Sequence, residues 1–123
     1  MLNTDIDFTT KRYRVVSNNY ASISFANLQA SFNANGTATV TYTEAYGDFP
    51  GSTITAYAMP SQSRNASNTG YDYIYVKIDS GERLSDKSVK LTLTGRWMLS
   101  GELLTGTYWI PVLILSNKSS TDL

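Results

Sequence analysis

Neither cysteine nor histidine occurs in the 123 residues. Those two side chains supply most thiolate nucleophiles, imidazole bases and zinc or iron ligands. Without them the chain has no Ser-His-Asp or Cys-His chemistry, no zinc finger and no haem or iron–sulfur ligation, and neither a metal nor another cofactor is expected. Disulfides are impossible as well, so a working place outside the cell would require stability from core packing or from assembly with other chains. Charge is scarce and balanced, with ten basic and ten acidic residues and a charged share of 16%. A nucleic-acid binder normally carries a basic excess, because phosphate neutralisation supplies much of its affinity, so no nucleic-acid partner is expected. The one basic cluster, Lys11, Arg12 and Arg14 around Tyr13, reads as the solvated start of a strand.

Long hydrophobic runs are missing too. The longest, Tyr108 to Leu115, contains Pro111 and falls far short of the ~18 to 20 apolar residues that span a bilayer, so no membrane span is expected. Residues 1–10 include Asp5 and Asp7 and lack both the basic start and the apolar stretch of a signal peptide. No signal peptide is visible in this chain.

What is present is hydroxyl, amide and phenol. Ser, Thr and Asn together number 39, beside nine Tyr and a hydrophobic share of 41%. That hydrophobic share excludes disorder, and threonine and tyrosine fit a pleated, half-buried surface better than a helix. Length and composition fit a single domain over 1–123, with a polar tail frayed from about residue 116.

Alternation with period two dominates the chain. Ala38, Val40 and Tyr42 face one side of residues 37–43, and four threonines face the other. Leu28, Ala30 and Phe32 alternate just upstream, and Asn33-Ala34-Asn35-Gly36 suits a tight turn, so the pattern predicts a hairpin over 22–43. Ile23 and Phe25 are out of phase with Leu28, which predicts an extra residue, a β-bulge, near Ala26 or Asn27. Ile54, Ala56 and Ala58 mark another strand. Residues 60–70 are polar and aperiodic and predict a long loop. Ile74, Val76 and Ile78 then alternate with Tyr71, Tyr73, Tyr75 and Lys77, before an expected turn at Asp79-Ser80-Gly81-Glu82. Val89, Leu91 and Leu93 mark a strand that ends at Gly95. Residues 96–104 fit either a strand–turn–strand or one helical turn. Residues 107–115 read as a strand buried on both faces, with Pro111 implying a bulge or an unpaired edge. The expected fold is therefore all-β: a two-layer antiparallel sandwich of seven or eight strands, a jelly roll being one such arrangement.

The favoured site is the stripe Tyr71, Tyr73, Tyr75, opposite the inward aliphatics, with Arg64, Asn65 and Asn68 of the adjoining polar segment as supporting groups. Tyrosine presents a flat apolar face and a hydroxyl at low rotamer cost, which suits a sugar ring or a protein surface; packing by a second sheet or a neighbouring subunit is the competing explanation. Trp97 and Trp109 lie in the most apolar part of the chain and are expected in the core. The acids Glu44, Asp48, Asp72, Asp79, Asp86, Glu82 and Glu102 are expected to be solvated, and no catalytic pair is singled out among them.

Three functions fit these residues. The first is a non-catalytic structural or binding module of an extracellular or virion assembly, such as a phage tail-fibre, baseplate or adhesin-like head. Its partners would be a cell-surface glycan or protein and further copies of the chain, a trimer being favoured. The expected location is then the virion or an extracellular surface. The second is a carbohydrate-binding module, stand-alone or attached to an enzyme. The third is a small carboxylate-based glycan-cleaving enzyme. The first needs the fewest special residues, and a non-enzyme is expected.

Overall fold

The computed structural model describes residues 2–7, 12–17, 21–45, 47–65 and 70–118, with the backbone alone for the first two stretches and for Asn65. Nine strands occur among them: β1 (Leu2–Asp7), β2 (Arg12–Ser17), β3 (Ala21–Phe32), β4 (Thr37–Thr43), β5 (Thr53–Ala58), β6 (Ser61–Asn65), β7 (Gly70–Arg83), β8 (Ser88–Trp97) and β9 (Gly106–Asn117). They form two antiparallel sheets, in the orders β1-β2-β3-β9-β5 and β4-β8-β7-β6. Three strands of the first sheet, β3, β9 and β5, pack on the four of the second to make the expected all-β sandwich, and β1 and β2 extend the first sheet sideways.

The core is what the alternation requires. Leu28, Ala30 and Phe32 of β3, Ile110, Val112 and Ile114 of β9, Ala38 and Tyr42 of β4, Ile74 and Val76 of β7, and Val89, Leu91 and Leu93 of β8 are all buried. Each fully buried aliphatic side chain contributes roughly 1.5–3 kcal/mol relative to an exposed one.

Four local expectations are corrected. Residues 22–43 do not form a hairpin: β3 and β4 join different sheets. The turn itself is as tight as expected, with Gly36 at φ 73° and the Asn33 side chain accepting from the amides of Asn35 (2.9 Å) and Thr37 (3.2 Å). Two alternating strands around such a turn can either pair edge to edge or face each other across a core, and burying Phe32 and Leu28 against Ala38 and Tyr42 selects the second. The expected bulge near Ala26 is also missing, because β3 keeps one unbroken register against β9 from Ala21 to Phe32. Ser22 and Ser24 face inward in its place, leaving Phe25 outside. The buried end is made polar: the Glu44 carboxylate accepts from the hydroxyls of Ser24 and Tyr42, each at 3.2 Å.

The chain does not turn at 79–82. Strand β7 continues to Arg83 through a bulge between Ile78 and Ser80, and the turn follows at 84–87. Gly81 is needed for the sheet-to-sheet approach, since an added Cβ would come within 2.8 Å of Ile54 Cγ2. Finally, residues 116 and 117 belong to β9. Ser116 is buried, its hydroxyl donating to the Gly51 carbonyl at 2.9 Å and accepting from the Gly51 amide at 3.1 Å. Residues 96–104 take the strand–turn option, with the Gly101 amide donating to the Trp97 carbonyl at 2.9 Å and Leu104 buried.

Candidate functional site

Strand β7 sets the geometry of the tyrosine row. Asp72, Ile74 and Val76 point into the sandwich, so Tyr71, Tyr73 and Tyr75 emerge on the outer face of the second sheet, with exposures of 62%, 43% and 53%. On one side lies the edge strand β6, where Arg64 pairs with Tyr71 and Gln62 with Tyr73. The Arg64 guanidinium sits 5.5 Å from the Tyr71 ring centroid, within cation–π range, which at an exposed position is worth ~0.5–1 kcal/mol. On the other side Arg96 of β8 pairs with Tyr75, and its guanidinium donates to the Gly101 carbonyl at 2.8 Å. Lys77 follows on the same face and is exposed. Three cations therefore border three phenol rings on a chain of zero net charge.

The predicted loop at 60–70 is corrected. Residues 61–65 pair with β7 as an edge strand, leaving only 66–69 between the two. Asn68 lies outside the described residues; Asn65 ends β6, opposite Gly70.

The anchor under this row is a carboxylate. Asp72 is fully buried. Its Oδ1 accepts from the amides of Tyr73 (2.7 Å) and Leu99 (2.8 Å), and its Oδ2 from that of Ser100 (3.4 Å). A side chain expected to be solvated thus ties the middle of the row to the turn after β8. Glu44, just described, is the second buried acid. Both are engaged in hydrogen bonds that hold loops to strands. The other five acids are exposed, as expected.

Trp97 is buried and packs edge-on against Tyr108, with centroids 5.8 Å apart. Trp109 is not in the core: it lies 58% exposed on the outer face of the first sheet. Its parity is that of Thr107 and Pro111, opposite to Ile110 and Val112. The first sheet carries a further apolar row on that face, where Phe25 pairs with Leu113 and Leu113 with Tyr57. Phe25 and Tyr57 are exposed. Between the sheets, beside Trp109, runs an open groove of about 570 Å3.

No three His, Cys, Asp or Glu side chains gather closely enough to hold a metal ion among the described residues, and no helix there is long and apolar enough to cross a membrane. No known family model matches the chain. Comparisons with curated proteins and with solved structures likewise return no similar protein.

Proposed function

We propose that the chain is a non-catalytic recognition module of an extracellular or virion assembly, and that the Tyr71, Tyr73, Tyr75 row contacts a cell-surface glycan or protein. The observation that carries this reading is the row itself: three phenol rings held outside the core at two-residue intervals by the buried side chains between them. Successive rings on one face of a strand lie ~7 Å apart, which suits an extended, flat partner better than a compact small molecule. The bordering Arg64, Arg96 and Lys77 favour a partner that carries carboxylate, sulfate or phosphate groups. Further copies of the chain would meet the module on the apolar Phe25–Leu113–Tyr57 row of the opposite sheet, giving the proposed homo-oligomer. The two buried carboxylates are bound into the scaffold, and the groove lining carries no acid, which supports the non-catalytic reading over carboxylate-based glycan cleavage.

An array of neutral and acidic glycans, read with wild type and Tyr73→Ala, tests the recognition half. Binding to acidic glycans should weaken by about tenfold or more in the variant, as expected for loss of a central aromatic. Its unfolding free energy should fall by no more than about 1 kcal/mol, since the ring is exposed. Glycan binding that survives Tyr73→Ala unchanged would remove the row as the platform.

A further inference from the structure

We propose that the open half of the β9 edge accepts an extended, uncharged polypeptide segment as an added strand, collinear with β5 and lying in the groove between the sheets. This site is on the other sheet from the tyrosine row and does not depend on it.

Strand β9 pairs with β3 along all of its length, from Gly106 to Asn117, but with β5 only from Val112 to Asn117. At Ala58 the chain leaves the first sheet, and the Met59 amide makes the last contact, donating to the Pro111 carbonyl at 2.9 Å. That bond fixes the orientation of the strand. In an antiparallel ladder the N–H and C=O of one residue point the same way and alternate along the chain. Pro111 faces the β5 side, so Thr107 and Trp109 direct their N–H and C=O to that side as well. Among the described residues no strand pairs with them there. Proline stands where the partner strand ends, its missing N–H costing no ladder bond.

Edge strands that must stay unpaired are usually guarded by charge, proline or a bulge. Residues 106–110, Gly-Thr-Tyr-Trp-Ile, carry neither charge nor proline and are mostly residues of high β-propensity. The register with β3 is unbroken, so no bulge turns this edge away. Opposite stands the other sheet's edge strand, with Ser61 and Ser63 on the wall, Ile74 and Tyr108 at the base, and no charged side chain in the lining. Five open residues at ~3.3 Å each give about 17 Å, the length of an ordinary strand. Main-chain bonds would supply affinity and the small polar wall would select small inward side chains, as in other strand-addition complexes. The Trp109 indole would gain the cross-strand neighbour that β5 does not provide.

The test uses the 15N-labelled chain and, as probe, an acetylated and amidated hexapeptide with the sequence of β5, residues 53–58. The amides of Thr107 and Trp109 should exchange at least about tenfold more slowly with millimolar peptide, whereas Tyr108 and Ile110, already bonded to β3, stay unchanged. The same peptide N-methylated at alternate residues should have no effect. Trp109→Pro deletes the edge N–H and should weaken peptide binding by about tenfold or more, whereas Trp109→Ala keeps it and should lose no more than about threefold. No protection at Thr107 and Trp109, or equal protection by the N-methylated peptide, overturns the proposal. So does equal loss in the two variants together with binding of cellohexaose, which would assign the groove to a neutral saccharide.

Discussion

Replacing Asp72 with alanine should lower the unfolding free energy by about 3–5 kcal/mol, measured by urea denaturation with the slope held in common. The side chain is fully buried between Tyr71 and Tyr73, and its oxygens take the amides of Tyr73, Leu99 and Ser100. Alanine would leave those donors facing an apolar interior, and an unsatisfied buried donor costs ~1–3 kcal/mol. Asp72→Asn retains one acceptor oxygen but turns an amide toward the remaining donors, so its loss should be about half as large. The damage is also local. Exchange should quicken first at Tyr73, Leu99 and Ser100, because the Met98 amide bond to the Tyr73 carbonyl depends on the same turn. A variant within about 0.5 kcal/mol of wild type would show that this carboxylate does not hold the row in place.

Gly51→Ala should be comparably severe, above the ~1–3 kcal/mol usual for overpacking. An added Cβ would fall inside the van der Waals envelope of the Asn117 carbonyl oxygen and the Lys118 nitrogen, which are backbone atoms that no side-chain rotation can move. The loop must then lift from the end of β9, breaking the two hydrogen bonds between Gly51 and the buried Ser116 hydroxyl. Since Thr53 pairs with Asn117 two residues later, the start of β5 should lose protection from exchange, while β7 and β8 keep theirs. An alanine variant that melts with wild type would contradict this close approach.

Most of the sandwich was legible in the alternation, because burial of one face leaves a period of two wherever a strand covers a core. The tyrosine row was legible for the same reason, and Asp72 was legible in principle: it sits in phase with Ile74 and Val76, so its parity already placed it inside. Partnership was harder to read. Whether β3 and β4 would pair or face each other depends on the sheet each strand joins, which a repeating pattern does not encode. Residues 61–65 are Ser-Gln-Ser-Arg-Asn, poor strand formers taken into β6 by the ladder that β7 offers. Trp109 followed its parity outward although its segment is apolar throughout, and what lies beside it was decided by β5 ending at Ala58. Serines at 22 and 24 inverted the usual rule at one end of β3: the buried Glu44 carboxylate accepts from the Ser24 hydroxyl, whereas the Ser22 hydroxyl has no hydrogen-bond partner among the described residues.

The proposed recognition requires the tyrosine row to be presented to a partner and not folded into the chain's own packing. Equilibrium denaturation of the triple variant Tyr71→Thr, Tyr73→Thr, Tyr75→Thr measures this most directly, because threonine keeps the strand preference and removes only the rings. Exposed cross-strand contacts are worth ~0.2–1 kcal/mol each, so the three substitutions together should cost less than about 3 kcal/mol with an unchanged denaturant slope. A loss of about 6 kcal/mol or more, the scale of several emptied core sites, would mean that the rings are structural and would contradict the proposed recognition.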